Sequence, residues 1–187
     1  MSESSSYYNR LIETVIELSV AKDWKSAVEE WSIHDFAEDD TLIESCICGK
    51  ENLRYLFTIR NDLNGKTLFP IGSSCIKKFE RNDLDEEVKI KEQLFKLLHA
   101  IENNQFLTLS AEFFSKKMLH YLFEEGAFKR NKYNNFNPEL DYKFMLKMFN
   151  KKSELSSREE KKVAAIILGS IKPFLKKLLE DKRRRYE

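Results

Sequence analysis

The residues best suited to chemistry in this 187-residue chain are its three cysteines, and they fall close together. Cys46 and Cys48 are separated by one residue and followed by Gly49; 26 residues lie between Cys48 and Cys75, which stands in the phrase Gly72-Ser-Ser-Cys75. Thiolates at this spacing can surround one soft or borderline cation, and zinc is the ion that takes such a set, normally with four ligands. His34, with 11 residues between it and Cys46, is the first candidate for the fourth. Asp39, Asp40, Glu44, a water or a second chain are alternatives, and the bland reading is three cysteines packed as small apolar side chains. An odd cysteine count without a secretory segment argues against a disulfide framework.

The elements around the cysteines explain how they would meet. In "LRYLFTIR", Leu53, Tyr55, Phe57 and Ile59 alternate with Arg54, Leu56, Thr58 and Arg60, the period of a half-buried strand. Asn64-Gly65 suits a hairpin turn, and Thr67–Phe69 supplies the returning strand, with Pro70 at a strand end. Gly72 then punctuates, Ser73 or Ser74 caps, and Cys75 opens a short helix whose first turn favours a thiolate. The hairpin carries Cys75 back to the Cys46-x-Cys48 turn, and a bound ion would stabilise so small a sheet.

Elsewhere the pattern is helical. Tyr8, Leu11, Ile12, Val15, Ile16 and Leu18 recur at helical spacing from Ser4 onward, and a short helix capped by Asp23 carries Trp24, Ala27, Val28 and Trp31. "AEDDT" reads as a loop. Helices are expected over Glu86–Asn103, from a Ser110 cap to Gly126, over Glu139–Asn150, and from the Ser156/Glu159 capping-box pair onward, with a kink or a break near Lys172 imposed by Pro173. The expected fold is α+β, mainly α: N-terminal helices (1–30), a zinc-stabilised β-hairpin module (31–81) and a C-terminal helical bundle (82–187).

Formal charge is +1, which excludes a global field of the kind that marks histone-like chains. Charge is nevertheless segregated: residues 23–45 carry eight acidic side chains and one basic (net −7), and residues 46–81 carry seven basic and three acidic (net +4). Lys50, Arg54, Arg60, Lys77 and Lys78, together with Arg183 and Arg184 in the terminal "KRRR", are the candidate nucleic-acid contacts. Solvated helix faces are the ordinary alternative. Tyr55 and Phe57 could offer stacking faces, although they share the buried side of Leu53 and Ile59. No phosphate-binding glycine loop and no His-Glu-x-x-His occur, and His99 and His120 sit among apolar helix positions, so a non-enzymatic protein is expected. "VAAIILGSI" is about half the length needed to cross a bilayer, and the N-terminus has no apolar leader region, so the expected setting is cytoplasmic, with no membrane partner.

Taken together, "EW…CICGK…LRYLFTIRN…GKTLFPIGSSCIKKF" resembles a group of small bacterial and phage proteins in which a tryptophan segment precedes a Cys-x-Cys-Gly knuckle. Trp31, Cys46, Cys48, Gly49, Ile59, Asn61, Gly72, Cys75, Lys78 and Phe79 carry the likeness over residues 24–80. Lys50 stands where many of those proteins have a histidine. The resemblance implies zinc binding and a phage or mobile-element setting. The function expected is that of a zinc-binding accessory protein contacting nucleic acid or a nucleic-acid-processing enzyme; the alternative is a protein-binding inhibitor of a host defence system.

Overall fold

A computed structural model describes residues 3–185, with side chains described for residues 6–182. The fold is mixed α+β and mainly helical, with one small antiparallel sheet. The chain divides into two compact units, Met1–Lys91 and Glu92–Glu187.

The first unit opens with helix α1 (Glu3–Leu18), whose apolar face buries Leu11 and Val15. Asp23 accepts the Ser26 N–H and caps α2 (Trp24–Ala27), as the sequence indicates. That helix does not continue through Trp31. A 3-10 turn (Val28–Glu30) ends it, and Trp31 begins strand β1 (Trp31–Glu38). The strand escapes a reading of the sequence because its alternation is interrupted. Between Ile33 and Asp35 the register with β2 slips, so His34 is an extra residue that puts the apolar positions on either side of it out of phase.

Strand β2 (Tyr55–Asn61) is central, paired antiparallel with β1 and with β3 (Thr67–Ile71). Phe57 and Ile59 are fully buried, as the alternation predicts, but Leu56 on the opposite side is buried as well. The hairpin loop is not a two-residue Asn-Gly turn. Among its residues Gly65 takes positive φ (74°), and the bend is organised by the Asn61 side chain, whose oxygen accepts the Leu63 and Asn64 N–H groups. Pro70 lies in β3, an edge strand, where its missing N–H costs the ladder nothing on the open side.

After β3, Gly72 is the N-cap of α3 (Ser73–Ile76); neither Ser73 nor Ser74 fills that role. Trp31, Phe57, Ile59, Ile71, Ile76 and Phe79 form one core with Leu11 and Val15 of α1, and the three cysteines belong to the same cluster. Burying each large side chain of that core contributes about 1.5–3 kcal/mol.

Helix α4 (Asn82–Glu102) leads into the second unit, which contains α5 (Lys116–Glu124), α6 (Pro138–Phe149), α7 (Ser157–Ile166) and α8 (Lys172–Arg185). Helix α5 starts later than expected: Ser115 caps it by accepting the Met118 N–H, while Phe113 and Phe114 are buried in the preceding turn. It ends at Gly126 (φ 77°), with Ala127 donating back to the Leu122 carbonyl. The Ser156/Glu159 capping box of α7 is formed. Pro173 follows a π-helical turn at Ile167–Ile171 that immediately precedes α8. Among the described residues no helix is long and apolar enough to cross a membrane.

Candidate metal centre

Cys46 lies in the loop between β1 and β2, and its position is fixed by backbone bonds. Gly49 N–H donates to the Cys46 carbonyl (2.7 Å), Cys46 N–H to the Lys50 carbonyl (2.8 Å), and Ile47 N–H to the Pro70 carbonyl (2.9 Å). The last bond fastens the cysteine turn to the end of β3. Gly49 is required where the turn reverses: its φ is 97°, and a Cβ there would stand 3.2 Å from an Arg10 guanidinium nitrogen. Gly72 is tightly placed for a different reason, since a Cβ there would stand 3.0 Å from a Leu53 methyl, which would have to shift.

With the turn and α3 so held, the three sulfurs converge. Cys46 Sγ lies 3.6 Å from Cys75 Sγ, and Cys75 Sγ lies 3.3 Å from Cys48 Sγ. A disulfide would require about 2.05 Å; all three are free and buried. Tetrahedral sulfurs about 2.3 Å from a zinc ion stand about 3.8 Å from one another, so the separation here is close to the edge of a zinc-thiolate tetrahedron. Hydrogen bonding also suits thiolates: the Gly72 and Cys48 N–H groups are directed at the Cys46 sulfur, and the Lys50 N–H at that of Cys48.

The thiols do not titrate alike. The hydrogen bond from Cys75, reinforced by the amide donors, pulls Cys46 down to about 5. Burial raises Cys48, and Cys75 is raised by its hydrogen bond to Cys46 and by burial. The protein itself thus favours one thiolate backed by two thiols. A divalent cation would displace the two remaining protons. The residues fit such an ion: Cys46, Cys48 and Cys75 would hold it, and it would cross-link the β1–β2 loop to α3.

His34, expected as the fourth ligand, is not part of this sulfur group. It is the extra residue of the β1 bulge and is exposed. Among the described residues, no histidine or carboxylate joins the three sulfurs.

The cluster borders a cleft of about 320 Å³ in the first unit, lined by Cys48 and Cys75 together with Tyr7, Tyr8, Lys50 and Lys78. Lys50 and Lys78, two of the expected nucleic-acid contacts, are therefore brought together, and Lys78 Nζ lies 5.8 Å from the Tyr8 ring centre. Lys77 is exposed on the neighbouring 3-10 turn, and Arg60 is exposed on β2. Arg54 is engaged elsewhere, with Nε 2.8 Å from Glu38 and a second contact of 3.9 Å to Asp40. The side chains of Arg183 and Arg184 lie outside the described residues. Nothing in the sequence marks Tyr7 and Tyr8 as site residues; the helical period assigns Tyr8 to the apolar face of α1, whereas both rings are more than a third exposed. Tertiary placement beside Gly49 and Cys48 is what brings this pair to the cleft. No family model, curated protein or solved structure matches this chain.

Proposed function

We propose that this chain is a non-enzymatic zinc-binding accessory protein, of phage or mobile-element type, that contacts nucleic acid or a nucleic-acid-processing enzyme through the face beside its metal centre. The observation that carries this reading is the convergence of three buried sulfurs, two of them (Cys48 and Cys75) lining a cleft that bears two lysines and two half-exposed tyrosines. Zinc suits an all-thiolate donor set. Lysines beside aromatic rings suit a sugar-phosphate chain with unstacked bases. Elemental analysis of protein purified without added metal should give one zinc per chain, and Cys75→Ser should lose it and melt at lower temperature. Unchanged metal content and melting in that variant would overturn the assignment. Binding to single-stranded oligonucleotides should weaken steeply with salt, because lysine–phosphate contacts release counterions.

A second reading, a protein-binding inhibitor of a host defence system, draws on one loop of the second unit. Asn134 is buried and donates to Asp141 (2.8 Å) and to the Lys129 carbonyl (2.8 Å), which fixes the backbone while Tyr133 and Phe136 remain 82% and 66% exposed. Aromatic rings held out on a rigid loop suit a protein partner, and binding through them would tolerate salt.

A further inference from the structure

The three sulfurs supply three of the four ligands that zinc normally takes, and closed structural sites take all four from protein. Among the described residues no fourth cysteine, histidine or carboxylate stands in the group. The sulfurs are not sealed on every side: Cys48 and Cys75 both line the cleft. Its remaining described lining includes two ammonium groups (Lys50, Lys78), a hydroxyl (Ser74) and two phenols (Tyr7, Tyr8), and contains no carboxylate.

The charge balance determines what such a cleft receives. A dication with three thiolates has a net charge of −1, so a further anion is repelled unless cations stand nearby. Lys50 and Lys78 reverse that balance to +1 at the mouth. Both are exposed and line the cleft, as does Ser74, so two ammonium groups and a hydroxyl are available there as donors to an oxyanion. A thiol or imidazole from a partner would need no such cations, whereas an oxyanion would.

We propose that the fourth ligand of the metal is an oxygen of a phosphate-type oxyanion entering through this cleft, held by Lys50 and Lys78, with Tyr7 and Tyr8 as the flanking faces. This rests on the metal reading above. A cleft of about 320 Å³ has room for a phosphate with an attached group. Inorganic phosphate and the terminal phosphate of a nucleic-acid strand share this chemistry, and the tyrosine pair gives the second something to stack on.

The test uses the cobalt(II)-substituted full chain. Its sulfur-to-cobalt charge-transfer bands report the three thiolates, and its visible d–d bands report the fourth ligand, so the two readings are separated in one spectrum. Inorganic phosphate should shift the d–d bands and leave the charge-transfer bands in place. Lys50→Ala and Lys78→Ala should each keep the charge-transfer bands and raise the phosphate midpoint about tenfold, the loss of one charge-assisted hydrogen bond. A 5′-phosphorylated single-stranded oligonucleotide, compared with its unphosphorylated form, is the second probe. A shift at lower concentration than with inorganic phosphate, and only for the phosphorylated strand, supports the site and assigns it to strand ends. A stronger response to inorganic phosphate supports the site and assigns it to the free ion. Bands unmoved by either probe, or moved at the same phosphate concentration in wild type and in both lysine variants, overturn the oxyanion site while leaving the metal centre intact. Absence of charge-transfer bands overturns the metal reading and this one with it.

Discussion

Asn61 is completely buried, and both polar atoms of its amide have partners. Nδ2 donates to Glu30 at 2.6 Å, and Oδ1 accepts from Leu63 and Asn64. Glu30, itself buried, also accepts the Val20 and Ala21 N–H groups, and the Trp31 indole donates to Ser19, so the end of α1, the start of β1 and the hairpin loop share one polar knot. Burial raises the Glu30 carboxyl, but the donors from Ala21, Asn61 and Val20 outweigh it and hold the group below its ordinary range. Asn61→Ala would leave a buried carboxylate short of a donor and two loop N–H groups without their acceptor. That should cost about 2–3 kcal/mol in urea unfolding. A loss below about 0.5 kcal/mol would show that water replaces the amide at no penalty.

Among the helices, α7 has the clearest chemical signature at its start. Ser156 and Glu159 complete the capping box, and Lys151 lies 2.6 Å from the same carboxylate, which together hold Glu159 at about 2, with the Lys151 hydrogen bond the largest cause. The native value is below the ordinary 4.5, so the ionised form is the one that stabilises the fold. Its contribution is fully present above the unfolded value and is lost as pH falls through the native one. Glu159→Gln keeps the box geometry but removes the charge. The stability difference between wild type and this variant should be flat above about pH 5 and should close towards pH 2; a difference that persists unchanged at pH 2 would assign it to packing. Caps of this kind are legible in the sequence because they depend on residues three apart, as at Asp23 and Ser156. So is the convergence of Cys75 on Cys46 and Cys48, because a hairpin must bring its two ends together. Strand β1 is not legible, since the His34 bulge interrupts the alternation that would reveal it. Nor are the roles of Glu30, Tyr7 and Tyr8, which depend on contacts between elements remote in sequence.

At the scale of the whole chain, each unit has its own buried side chains, and the cysteines belong to the core of the first. On the metal reading proposed above, treatment with a chelator should therefore raise hydrogen exchange in β2, β3 and α3 while α5 and α7 keep their protection; uniform loss across both units would show that they unfold as one. The sheet itself has a consequence for how any partner can attach. Of its three strands, two are edges: β1 carries the His34 bulge and the acidic Asp35 and Glu38, and β3 carries Pro70, whose carbonyl is already taken by Ile47. A strand from another polypeptide seeking to extend the ladder meets a kink and acidic side chains on one side, and a missing donor and an occupied acceptor on the other. Neither edge of this sheet offers a ready ladder, and concentrated protein should therefore resist the edge-to-edge stacking that leads small sheets into fibrils.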